Sequence, residues 1–65
     1  MNNLKKIRNL KGYTQKYVAD NSGIGVRAYS RYESEKERRM PEIRVAIRIA
    51  NTLDITNLRD IWSAY

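Results

Sequence analysis

The chain has 65 residues, a formal net charge of +6, and neither cysteine nor histidine. That length makes a single domain over residues 1–65 with a small core, and the missing residue types exclude disulfide staples, thiolate chemistry and the ordinary zinc sites. No apolar run approaches the roughly 18 residues that cross a bilayer, and the opening Met1-Asn2-Asn3-Leu4-Lys5-Lys6 lacks the apolar stretch of a secretory signal, so a cytoplasmic location without membrane contact is expected. The positive charge is localised: residues 1–40 hold ten basic side chains against four acidic ones, whereas residues 41–65 hold three of each. A field gathered in one part of a domain suits a polyanion, because each neutralised phosphate releases condensed counterions.

In chain order, Leu4, Ile7, Arg8 and Leu10 follow helical spacing, and Gly12 is placed to end that first helix in a left-handed conformation. Thr14 reads as the N-cap of a second helix beginning at Gln15, with Tyr13 and Val18 at the positions of a hydrophobic staple, and this helix should stop at Gly23. A third helix runs from Gly25 or Val26 to Ser34, with Tyr29 and Tyr32 inward, Val26 a further candidate for that side, and Arg27, Ser30, Arg31 and Ser34 on the other side. The segment 35–40 is too charged to bury and reads as a loop. Pro41 suits the first position of a fourth helix, whose apolar side would comprise Ile43, Ala46, Ile47, Ile49, Ala50 and Leu53. A last helix from Thr56 would carry Leu58, Ile61, Trp62 and Tyr65, and no segment alternates as a strand does.

The short turn Ser22-Gly23-Ile24-Gly25 forces the second and third helices to cross steeply. Such a crossing needs a small residue at the close approach, which Ala19 supplies, a residue free to take positive φ, which Gly23 supplies, and apolar wedges, which Val18, Ile24, Tyr29 and Tyr32 supply. It leaves the third helix protruding, able to enter a groove about 12 Å wide.

Thr14-Gln15, Val18-Ala19, Gly23-Ile24, Glu33, Pro41 and Ile49-Ala50 followed by Leu53 stand at the intervals of one known family. From about Leu4 to Leu58 the chain resembles the helix-turn-helix domains of phage repressors and Cro proteins. The resemblance implies an all-α, compact five-helix bundle of the lambda-repressor-like type, usually dimeric on DNA, with its third helix in the major groove. It assigns base contacts to Val26, Arg27 and Arg31, with Ser30 between the two arginines as a further candidate, and backbone phosphate contacts to Gln15, with Thr14 and Lys16 beside it at the same helix N-terminus. It also implies a structural ion pair between Arg8 and Glu33. The chain departs from the family pattern in having Glu35 where a glycine is usual, a longer loop to Pro41, and Tyr29 at a position usually aliphatic.

Arginines at 27 and 31 have the right chemistry, since a guanidinium can donate two parallel bonds to guanine O6 and N7. Val26 can meet a thymine methyl or pack between helices, and Ser30 can serve a base or a phosphate. Lys36, Arg38 and Arg39 are candidate phosphate grips in the loop. The tyrosines at 13, 17, 29 and 32 read as core and staple residues. Leu58, Ile61, Trp62 and Tyr65 exceed what one side of a short helix buries, which makes them a candidate dimer surface, with ordinary core packing as the other reading.

The expected function is that of a Cro-type repressor acting as a homodimer on a palindromic double-stranded operator, without cofactor, metal or small-molecule ligand. The competing class is a protein-interaction module on the same scaffold, such as an antitoxin or anti-repressor. Catalysis is not expected, because no nucleophile and base pair or metal cluster stands out.

Overall fold

A computed structural model describes residues 2–34, 36, 37 and 39–65. Its first helix, α1 (Leu4–Lys11), stops because Gly12 turns to φ 76° and the N–H groups of Gly12 and Tyr13 return to the carbonyls of Asn9 and Arg8. Thr14, in extended conformation, caps α2 (Gln15–Asn21) by accepting the Tyr17 N–H on Oγ1 at 3.0 Å. Ser22 closes α2, and Gly23 at φ 72° reverses the chain. Gly25 is the extended residue before α3 (Val26–Glu33), and α4 (Ile43–Thr52) and a 3-10 turn, Leu58–Asp60, complete the chain. No strand occurs among the described residues, and no described helix is long and apolar enough to cross a membrane.

The helices converge on one core of Leu4, Val18, Ala19, Tyr29, Ala46, Ile49, Ala50, Leu53, Ile61 and Trp62. α2 packs on both α3 and α4, so it is the central element against which the other two are set. Ala19 is fully buried at this junction, where a larger side chain would hold the helices apart.

The structure departs from the sequence expectations at both ends of α4 and beyond. Pro41 does not open the helix. It lies buried two residues earlier, its carbonyl accepts a hydrogen bond from the Tyr65 hydroxyl, and Glu42 takes the extended N-cap conformation instead. Along α4 the inward stripe is Ala46, Ile49, Ala50 and Leu53, spaced three and four apart, with Val45 half-buried beside it. Ile43 and Ile47, expected on that stripe, lie on its flank and are 50% and 46% exposed.

Among the described residues the bundle has four α-helices and a 3-10 turn in place of the five helices expected. Asp54 adopts φ 58° and the Ile55 N–H returns to the Ala50 carbonyl, which ends α4. Asn57 then caps the short turn through Oδ1 to the Arg59 N–H. The turn ends at Asp60, and the Asn3 N–H bonds the Ile61 carbonyl at 2.9 Å, which ties this segment back to the start of α1. Ile61 and Trp62 therefore face inward at 1% and 2% exposure, so of the four residues considered as a dimer surface these two belong to the core. Leu58 and Tyr65 remain partly exposed.

Candidate nucleic-acid interface

The turn before α3 sets the entry of that helix. The Ile24 N–H bonds the Ala19 carbonyl at 3.1 Å and the Gly23 N–H bonds that of Asp20 at 3.3 Å, so the end of α2 is satisfied by the turn itself. Gly23 is required there by its positive φ, not by lack of space, since a Cβ would meet the Arg48 guanidinium at 3.5 Å, an ordinary van der Waals contact. Ile24 packs against the core from this turn and sets the entry of α3.

On α3, Tyr29 and Glu33 are buried and Ala28 and Tyr32 half-buried, while Val26, Arg27, Ser30 and Arg31 are exposed. Val26 is 43% exposed, so it does not lie on the inner side. The four residues assigned to base reading thus form one outward surface at spacings of one, three and four. Among described residues Arg27 makes no ion pair. The Arg31 Nε stands 3.9 Å from Glu37 Oε2.

The C-terminal end of α3 is fixed to α1 and α2 by a buried cluster. Arg8 donates to Glu33 through Nε at 2.6 Å and Nη2 at 3.2 Å, and its Nη1 donates to the Tyr13 carbonyl at 2.7 Å. Gln15 Nε2 donates to Glu33 Oε1 at 3.0 Å. Burial raises the Glu33 pKa, but hydrogen bonds from Arg8 and Gln15 outweigh it and hold the carboxyl below the ordinary carboxylate range. The hydrogen bond to Glu33 correspondingly raises Arg8. Tyr29 lies beside this pair with its hydroxyl unpaired among the described residues; burial, then the Glu33 carboxylate, push its ionisation far above the usual tyrosine range.

The residues assigned to phosphate contact fall in two places. Thr14, Gln15 and Lys16 stand together at the N-terminus of α2, where Thr14 already accepts from Tyr17, Gln15 is half-buried against Glu33, and Lys16 pairs with Asp20 at 3.0 Å on the open surface. Lys36 and Arg39 are exposed in the connection from α3 to α4, and Arg38 lies outside the described residues. Tyr17, expected as a core or staple residue, is exposed and stacks its ring 4.5 Å from that of Tyr13. Sequence reasoning missed the Gln15 bond to Glu33 and the approach of Glu37 to Arg31. Neither pair has a helical spacing, so only the folded turn and loop bring them together.

Two helices joined by a four-residue turn, the second held rigidly with a basic outward face, define a helix-turn-helix domain. A family model described as helix-turn-helix matches residues 4–61, while neither a curated protein nor a solved structure matches the chain. The chain belongs to the XRE family of helix-turn-helix DNA-binding domains, whose members are transcription regulators that bind double-stranded DNA in a sequence-specific manner.

Proposed function

We propose that the chain is a Cro-type repressor that lays α3 in the major groove of a palindromic operator, Arg27 and Arg31 reading guanine and Val26 and Ser30 completing the base contacts. The observation that carries this reading is the outward face of α3: Val26, Arg27, Ser30 and Arg31 are exposed together, while the opposite side of the helix is buried. Two arginines at these positions favour half-sites containing guanine, each bidentate pair contributing roughly 1–3 kcal/mol of discrimination. Thr14, Gln15 and Lys16 at the start of α2, with Lys36, Arg38 and Arg39 after α3, grip the flanking phosphates and set the register.

A homodimer would place two recognition helices about 34 Å apart on successive major grooves of one face of the duplex. The face we assign to pairing is the flank of α4, where Ile43 and Ile47 are exposed and a groove is lined by Ile47, Ala50, Ile55 and Leu58. Residues 41–65 carry no net charge, so two copies meet there without the repulsion that the basic residues of 1–40 would impose.

Selection of bound duplexes from a random pool tests the whole reading. Enrichment of a two-fold symmetric sequence with guanine in each half is the expected result, and affinity should fall steeply with salt. Recovery of no preferred sequence at any salt concentration would sink it.

A further inference from the structure

Among the described residues Arg31 has a carboxylate close by, and Arg27 makes no ion pair. Beyond α3 the Glu37 N–H meets Ser34 Oγ at 3.5 Å, and Glu37 Oε2 comes to 3.9 Å from Arg31 Nε. The distance is that of an ion pair, longer than a hydrogen bond. Both side chains keep about half their surface open, at 53% and 42% exposure, so the pair lies at the rim of the outward face of α3.

A guanidinium has two usable edges, one that includes Nε and one formed by the terminal Nη groups. Glu37 stands at the Nε edge of Arg31, and the terminal edge also carries two parallel N–H groups that match guanine O6 and N7. An arginine without such a partner can settle on any phosphate within reach, and phosphate contacts carry no sequence information.

We infer that Glu37 is a specificity-determining residue of the protein: its carboxylate orients Arg31 toward a guanine and keeps that side chain from pairing with the backbone. This rests on the base-reading role proposed for Arg31. The loop is thus a working part of the recognition surface, and its acidic residue sharpens discrimination while lowering affinity for DNA in general.

The test compares the parent chain with Glu37→Gln, Arg31→Ala and the double variant on three duplexes: one obtained by selection from random DNA, the same duplex with individual guanines replaced, and a scrambled duplex of equal length. Both positions are exposed, so all three variants should fold as the parent does. Glu37→Gln should raise affinity for the scrambled duplex about threefold and reduce discrimination at one guanine by about the same factor, the size an exposed pair can carry. In the Arg31→Ala background the same change should affect all duplexes alike. Equal gains on every duplex in both backgrounds would reduce Glu37 to a general charge effect and overturn the inference. If Arg31→Ala relaxes no position, the base-reading role itself fails, and the two failures are told apart by that single variant.

Discussion

Arg8 and Glu33 lie 25 positions apart in sequence, yet two hydrogen bonds and full opposite charges join them inside the bundle, with the Tyr13 carbonyl and the Gln15 amide completing the cluster. The pair anchors the C-terminal end of α3 to α1. Removing one partner strands the other charge away from water, which typically costs about 3–5 kcal/mol, a large part of what a domain this small possesses. Arg8→Ala should therefore melt at least about 10 °C below the parent. An unchanged thermal midpoint would mean that the pair is energetically no more than a surface contact.

The same cluster gives stability a pH dependence with a definite sign. Glu33 has a folded-state pKa below its ordinary value of 4.5, so the folded protein releases this proton more readily than the unfolded chain does. Its contribution is fully present above the unfolded value and is lost as pH falls through the lower folded value. Denaturant titrations from neutral to acidic pH should show a plateau followed by a decline below about pH 4.5. Glu33→Gln should be less stable at neutral pH and flatter on the acid side; an identical acid profile in the two proteins would remove Glu33 as its source.

Much of this arrangement was legible before any coordinates. Gly12, Thr14 and Gly23 marked helix ends because each does something few other residues do there, and all three take the expected conformations. The pairing of Arg8 with Glu33 came from resemblance to a family, not from spacing, and the two groups stand 2.6 Å apart. What escaped was set by contacts across the fold. The C-terminal segment has helical periodicity, yet it forms only the short turn Leu58–Asp60 and is tied across the fold by the Asn3 N–H on the Ile61 carbonyl. Ile43 and Ile47 have the right residue type for a core, and only the direction in which α4 packs shows that they flank it.

Gly23 and Gly25 bracket the same turn and should respond differently to substitution. Gly23 sits at φ 72°, where an added Cβ is strained whatever the space, whereas Gly25 at φ −71° has open space around it. Gly23→Ala should destabilise the protein by about 1–2 kcal/mol. Gly25→Ser should be neutral or stabilising by a few tenths of a kcal/mol, since the hydroxyl can cap α3 at a position that now lacks a side-chain cap. Chemical denaturation of both variants checks the contrast, and equal losses would show that the turn does not depend on the left-handed conformation.

Positioning and reading should separate on DNA. Arg27→Ala and Arg31→Ala remove groups exposed on the outward face of α3, and each should relax preference at a different base pair, by roughly 1–3 kcal/mol. Gln15 lies at the start of α2, bonded to Glu33, and Gln15→Ala should weaken binding to all sequences alike while lowering the melting temperature modestly. Quantitative binding to the selected duplex and its single-base variants measures both effects. A uniform loss from all three substitutions would mean that α3 does not face the bases.

Ile47 offers the most direct test of pairing between chains. It is 46% exposed beside the groove formed with Ile55 and Leu58, and it makes no part of the buried core. An aspartate there should leave thermal stability within about 0.5 kcal/mol of the parent, as surface substitutions generally do. In a dimer, however, it would bring like charges together across the two-fold axis in an apolar setting. Sedimentation and binding stoichiometry on a palindromic duplex should then show two parent chains bound cooperatively, and Ile47→Asp chains occupying the half-sites independently. Cooperative binding by Ile47→Asp would move the contact to another face, and the partly exposed Tyr65, which packs edge-on against Trp62 and bonds the Pro41 carbonyl, would become the next position to substitute.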